Sequence, residues 1–113
     1  SLAARSPVPV TLRVDISGRC GPTAEAIAYF VVSEALTNAA RHADARRIEV
    51  HVEREGDRLL VAVADDGRGG AADRPGGGLS GLRDRVAAVD GTFHLDSPAG
   101  AGTTVSVEVP CAS

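Results

Sequence analysis

"RRIEVHVEREGDRLLVAVADDG", residues 46–67, decides what kind of fold this chain can adopt. Arg47 to Glu53 alternates. Ile48, Val50 and Val52 fall on one side, Glu49 and His51 on the other, as in a strand with one buried face. "EGD" at 55–57 is a hairpin turn, and Arg58 to Ala64 is the partner strand. Working outward, Val8 to Asp15 alternates as well, with Val10, Leu12 and Val14 against Thr11 and Arg13, and reads as a half-buried strand. "SGRCGP" is a loop, and Pro22 suits the first turn of a helix. Residues 22–43 then read as one long helix whose core stripe is Ala28, Val32, Ala35, Leu36, Ala39 and Ala43.

Downstream of the hairpin, "DDGRGGAADRPGGGLSG" (65–81) leads into a second helix marked by Leu82, Val86 and Val89, with Gly91 as its C-terminal cap. Thr92 to Asp96 and Thr103 to Val109 are two last strands joined by "SPAGAG". The order is β-α-β-β-loop-α-β-β. Hairpins alternating with helices predict an α/β fold, a two-layer sandwich with a mixed sheet and helices on one face.

Composition narrows the function classes. At 113 residues the chain suits one domain, spanning 1–113. A hydrophobic fraction of 43% excludes disorder, and a net charge of -3 leaves no basic footprint for nucleic acid. No apolar run reaches the roughly 20 residues of a membrane span, and Ser1 to Pro9 has no signal-peptide core. The abrupt start suggests a fragment of something longer. Cys20 and Cys111 make neither a framework nor a metal motif, and two free thiols in a reducing compartment are expected. All 12 basic residues are Arg, so any cationic ligand contact falls to Arg or His.

The end of the first helix, "VVSEALTNAARHADA" (31–45), lines up Glu34, Asn38, Arg41 and His42. At about 100° per residue, with Glu34 at zero, Asn38 falls at about 40°, Arg41 at about −20° and His42 at about 80°. The expected core stripe covers about 100° to 200°, so the polar line sits on its shoulder, where a helix borders a cleft. Ser33, Thr37 and Ala40 take the solvent side. Taken alone, the line is also what an ordinary Glu–Arg surface pair produces. Asn is a mediocre helix former but a good oxygen ligand for a hydrated metal ion.

Gly76-x-Gly78-x-x-Gly81 matches the dinucleotide fingerprint in letters only. That fingerprint sits tight behind the first strand of a βαβ unit, whereas here the strand ends near Asp65 and a hairpin follows the helix. A Walker loop is excluded because no Lys exists. What remains is a glycine loop feeding a helix N-terminus, which offers N–H groups to an anion. Separately, Asp65-x-Gly67-x-Gly69 puts a carboxylate at a strand end. An ionised Asp only accepts hydrogen bonds, which suits an exocyclic amine such as that of adenine. A turn-capping Asp is the plainer alternative, and Asp66 is the more structural of the two.

Together these segments resemble the ATP-binding domain of sensor histidine kinases, in the superfamily shared with DNA gyrase, the Hsp-ninety chaperone and MutL (the Bergerat fold). "SEALTNAARHA" resembles its N box, "DDGRG" its first glycine box, "GGGLSGLRDRV" its second, and "GAGTTVSVEVP" its closing Gly-Thr segment. The resemblance runs from about Val8 to Pro110. "GLSGLRDRV" and the short gap between Gly69 and Gly76 are similar to the class of nitrate sensors and the lipid-fluidity thermosensor, which lacks a separate phenylalanine box. Phe30 and Phe93 fall within regular elements, where core packing is expected.

The resemblance implies roles. Asp65 would bind the adenine amine, Asn38 would coordinate Mg²⁺, and Glu34 would orient or polarise water near that metal. Arg41 and His42 would face the phosphates, although such kinases commonly carry Lys where Arg41 stands, so the geometry there is open. Gly76, Gly78 and Gly81, with their backbone amides, would form the lid over ATP, and Leu79 and Leu82 would bind the nucleotide. Gly67 and Gly69 would admit the base, and Thr103 would support its pocket through water and Asp65.

The implied activity is transfer of the γ-phosphoryl group of Mg-ATP to a histidine on an upstream dimerisation domain, and from there to a response regulator. This fits a cytoplasmic, monomeric fragment that contacts neither membrane nor nucleic acid. His42 lies in the N box and is not that acceptor; His51 and His94 are expected as exposed strand residues without a role. An anti-sigma-factor serine kinase shares the N box but not the lid or the "LRDRV" helix. A non-catalytic nucleotide-binding module would not require Asp65, Asn38 and the glycine boxes intact.

Overall fold

The structure is a computed structural model, and it describes residues 9–16, 18–38, 46–67 and 78–111, with the backbone alone for 78–80. Five strands and two helices follow one another: β1 Val10–Asp15, α1 Pro22–Asn38, β2 Ile48–Glu55, β3 Arg58–Asp65, α2 Gly78–Ala88, β4 Thr92–Asp96 and β5 Thr103–Pro110. The sheet order is β1-β2-β3-β5-β4. β1 pairs parallel to β2 and every other pair is antiparallel. The mixed two-layer sandwich expected from the central hairpin is therefore the fold.

One face of the sheet carries the core. Ile48 and Val50 of β2, Leu59, Val61 and Val63 of β3, and Val105, Val107 and Val109 of β5 are buried under Ala24, Ile27, Val31, Ala35 and Leu36 of α1 and Leu82 and Val86 of α2. Thr92 and His94 are exposed and His51 is half-buried on the opposite face. Two aromatic contacts fasten α2: the Arg83 guanidinium lies 4.7 Å from the Phe93 ring centre and that of Arg85 4.1 Å from Phe30.

Several expectations need correction. The buried residues of α1 lie at about 20° to 100° on the same wheel, with Leu36 at about 200°. Ala28 and Val32, predicted as core, are only partly buried. Asn38, at about 40°, therefore continues the buried face itself and does not ride its shoulder. The helix is described only to Asn38, so Ala39 and Ala43 lie outside the described residues. β1 is not half-buried: Leu12 and Val14 are 54% and 53% exposed, because β1 is an edge strand beyond the reach of the helices. Phe30 is 40% exposed under Arg85 and is not a core residue.

At the end of α2, Asp90 takes the left-handed conformation at φ 61°. The Asp90 N–H donates to Ala87 O and the Gly91 N–H to Val86 O, a Schellman ending. Gly91 is thus one residue past the cap. It is glycine because a Cβ there would stand 2.7 Å from Val109 Cγ1 and 2.8 Å from Glu108 O.

The two cysteines are not free. Cys20 and Cys111 form a disulfide between residues 91 apart in sequence. Cysteine counting could not see this, because the pairing depends on α1 starting where β5 ends. That same fact orients the molecule. α1 begins beside the Pro110 end of β5, which pairs with Arg58. Its 17 residues span about 25 Å at about 1.5 Å each, close to the length of β3. α2 runs the opposite way, since Gly91 abuts Val109. One edge of the molecule therefore collects the exit of α1, the start of β2, the exit of β3, the entry of α2 and the β4–β5 turn. The disulfide stands at the other edge.

Candidate functional site

The site edge is built around the end of β3. Asp65 pairs with Thr103 across the β3–β5 ladder. Its Oδ1 accepts a hydrogen bond from the Gly67 N–H at 2.9 Å, an Asx turn that bends the chain out of the strand. Among the described residues Oδ2 has no hydrogen-bond partner, so the carboxylate, itself half-buried, keeps an acceptor to offer. Asp66 behaves differently. Its Oδ1 accepts the backbone N–H groups of Arg46 and Arg47, both at 2.9 Å, and those bonds hold its carboxyl below the usual carboxylate range. Asp66 fastens the entry of β2, the structural role expected for it.

Gly102 is a part of the site that the sequence reading missed. It adopts φ +79°, and a Cβ there would lie 2.3 Å from Asp65 O. Only a glycine lets the β4–β5 turn come this close to the aspartate. The signal was present, since "GAGTT" places Gly102 directly before Thr103. Thr103 is the one buried polar side chain among the described residues, 4% exposed. Its hydroxyl shares a 2.6 Å hydrogen bond with Ser97 Oγ, closing the turn from both sides.

Glu34 and Asn38 are half-buried on the last turns of α1, at the edge where β3 ends. An amide oxygen in that position is a hard ligand of the kind a hydrated divalent cation takes, so the donor set fits magnesium held jointly with phosphate oxygens. Gly78 opens α2 and Gly81 lies in its exposed first turn, so the helix start faces the same edge. Leu82, expected to bind the nucleotide, is 2% exposed within the core cluster, because it follows the buried side of α2 with Val86. Arg41, His42, Gly69, Gly76 and the Leu79 side chain lie outside the described residues.

A carboxylate at a strand exit, a glycine pressed against its backbone, an amide at a helix exit and the start of a second helix share this edge. Residues 23–113 match the family described as "Histidine kinase-, DNA gyrase B-, and HSP90-like ATPase", and the chain belongs to that family as an ATP-binding domain of the sensor histidine kinase kind. It is 36% identical over 88 residues to the sensor histidine kinase YdfH of Bacillus subtilis (strain 168), covering 73% of this chain and 22% of that one. It is 37% identical over 90 residues to the oxygen sensor histidine kinase NreB of Staphylococcus carnosus (strain TM300), covering 76% and 26%. Among solved structures, the histidine kinase domain of the blue-light activated kinase of Erythrobacter litoralis EL346 superposes with a TM-score of 0.71 at 28% identity, covering 97% of this chain and 54% of that one. The chain thus spans about a quarter of the length of these curated relatives. None of its described helices is long and apolar enough to cross a membrane.

Proposed function

We propose that the chain, residues 1–113, is the catalytic domain of a longer sensor histidine kinase, binds Mg-ATP at the Asp65 edge and presents the γ-phosphoryl group to a histidine on an upstream dimerisation domain. The phosphoryl group then passes to a response regulator through that domain. The observation that carries this reading is the junction of Asp65, Gly67 and Gly102 at the exit of β3. In this reading the second carboxylate oxygen accepts from the exocyclic amine of adenine, and Gly67 admits the ring.

The remaining roles are those the family resemblance implies. Asn38 would hold the metal, and Glu34, one turn earlier, would orient water beside it. Magnesium, when bound, neutralises charge on the phosphate oxygens. Gly76, Gly78 and Gly81 bring backbone N–H groups of the lid and of the α2 entry toward the triphosphate, with Leu79 covering it. Arg41 and His42 add positive charge, and Gly69 extends the approach opened by Gly67. Thr103, fixed by Ser97, holds the strand opposite Asp65 in place. Phosphoryl transfer asks a protein mainly for such positioning and charge balance.

Calorimetric titration of ATP into the chain, with and without Mg²⁺, tests the reading. Binding that strengthens with Mg²⁺ and weakens in Asp65→Asn is expected. Folded protein that ignores ATP in both conditions sinks it.

A further inference from the structure

The disulfide edge is built as carefully as the site edge, and the phosphoryl chemistry uses none of it. Cys20 lies in the loop before α1 and Cys111 directly after β5. Those two elements are the ones whose far ends carry Asn38 and Thr103. Cys20 is 3% exposed and Cys111 is half-buried. Around them the Cys111 N–H donates to Asp57 O, the Cys20 N–H donates to Glu25 Oε2 at 3.0 Å, and Arg54 Nη1 donates to Arg19 O at 2.8 Å. Cys20 stands two residues ahead of Pro22, the first residue of α1, beside the positive end of a 17-residue helix whose first bond runs from the Glu25 N–H to Gly21 O at 3.0 Å. The Glu25 carboxylate nearby is already matched by Arg19.

We propose that Cys20 and Cys111 form a thiol–disulfide exchange site, worked by thiols of low molecular mass, that locks and unlocks the seam between α1 and β5. The asymmetry of burial gives the exchange a direction. A thiolate attacks Sγ of Cys111, the less buried of the two residues, and a new S–S bond forms there. The Cys20–Cys111 bond breaks, and its electron pair leaves on Sγ of Cys20, where the helix N-terminus favours a thiolate. A second thiol attacks the mixed disulfide, leaves with the first as a small disulfide and frees the Cys111 thiolate. Two electrons pass from the two small thiols to the protein, and their two protons end on Cys20 and Cys111. The lock is independent of what binds at the opposite edge.

The test uses the full chain equilibrated across ratios of oxidised to reduced dithiothreitol, with free thiols counted by alkylation and intact mass. Thermal unfolding is followed in parallel. The thiol count rises from none to two in one step, and the melting temperature falls by more than about 10 °C between the end points, as expected when a cross-link over a long loop is lost. The Cys20→Ala/Cys111→Ala variant melts with the reduced wild type and ignores the ratio; should it not fold, the reduced wild type carries the test alone. Two alkylatable thiols at every ratio, or a melting temperature unmoved by reduction, overturns the site. The direction is read with glutathione disulfide on the single variants. Cys111 in Cys20→Ser forms the adduct at least about 10-fold faster than Cys20 in Cys111→Ser; equal or reversed rates overturn Cys111 as the point of entry.

Discussion

Asp65 and Asp66 are adjacent, chemically identical and put to different uses, and the difference lies in what each carboxylate already holds. Asp66 is taken up by two backbone N–H groups of the β2 entry, whereas Asp65 spends one oxygen on Gly67 and, among the described residues, has no hydrogen bond at the other. Asp65→Asn weakens ATP binding by about 10-fold or more, the worth of a hydrogen bond to a charged group, with little change in melting temperature. Gly102 and Gly100 offer a matched pair at this scale. Both take positive φ, +79° and +80°, but a Cβ at Gly100 meets nothing within 4 Å while one at Gly102 meets the Asp65 carbonyl. Gly100→Ala therefore loses about 1 kcal/mol, and Gly102→Ala about 2 kcal/mol or more, both read from urea midpoints. The turn from Asp65 to Gly67 was legible because strand-exit Asp-x-Gly is a local pattern. Gly102 was not, since its reason is a backbone from another strand.

At the scale of the element, α1 shows what helical spacing can and cannot tell. The spacing put Glu34 and Asn38 on one side of the helix, where both are half-buried, but the buried stripe was set about a quarter turn of the wheel away. The many alanines and valines of "AEAIAYFVVSEALTNAA" allow more than one apolar face, and only the contact with β3 and β5 chooses among them. The start of the helix carries its own test. The Arg19 guanidinium, and next the Cys20 N–H, hold the Glu25 carboxyl below its ordinary 4.5, at about 2. A group whose folded value is lowered adds stability that is fully present above the unfolded value and fades as pH falls toward the folded one. Glu25→Gln accordingly lowers the melting temperature at pH 7, and the gap to wild type closes between pH of about 4.5 and about 2. A gap that stays constant across that range would leave Arg19–Glu25 without a role in stability.

For the whole molecule, the sheet order and the opposed helices separate two edges, one at the exit of β3 with Asp65 and one with the disulfide. The alternation of hairpins and helices made the layers legible from sequence. The cysteine pairing was not, because nothing local relates residues 91 apart. The chain spans 22% of YdfH and 26% of NreB, and the acceptor histidine belongs to a part beyond this domain in the proposed kinase. Incubated alone with γ-labelled ATP, the chain stays unlabelled on histidine. The longer kinase that contains it becomes labelled, and Asn38→Ala in that kinase removes the label. Acid-labile phosphate on the isolated chain would mean that a histidine within it is an acceptor.

The parallel seam between β1 and β2 also has a history in time. β2 and β3 close through the two-residue turn at Gly56 and Asp57, a contact among near neighbours that forms early. β1 finds its register, Val10 against Ile48 through Asp15 against Glu53, only once the chain has looped through the whole of α1, and non-local pairing of that kind comes late in folding. With its apolar residues half in water it gains little by docking. In a pulsed hydrogen-exchange refolding experiment the amides of the central hairpin gain protection first and those of Leu12 and Val14 last, so the strand first off the ribosome is the last to join the sheet.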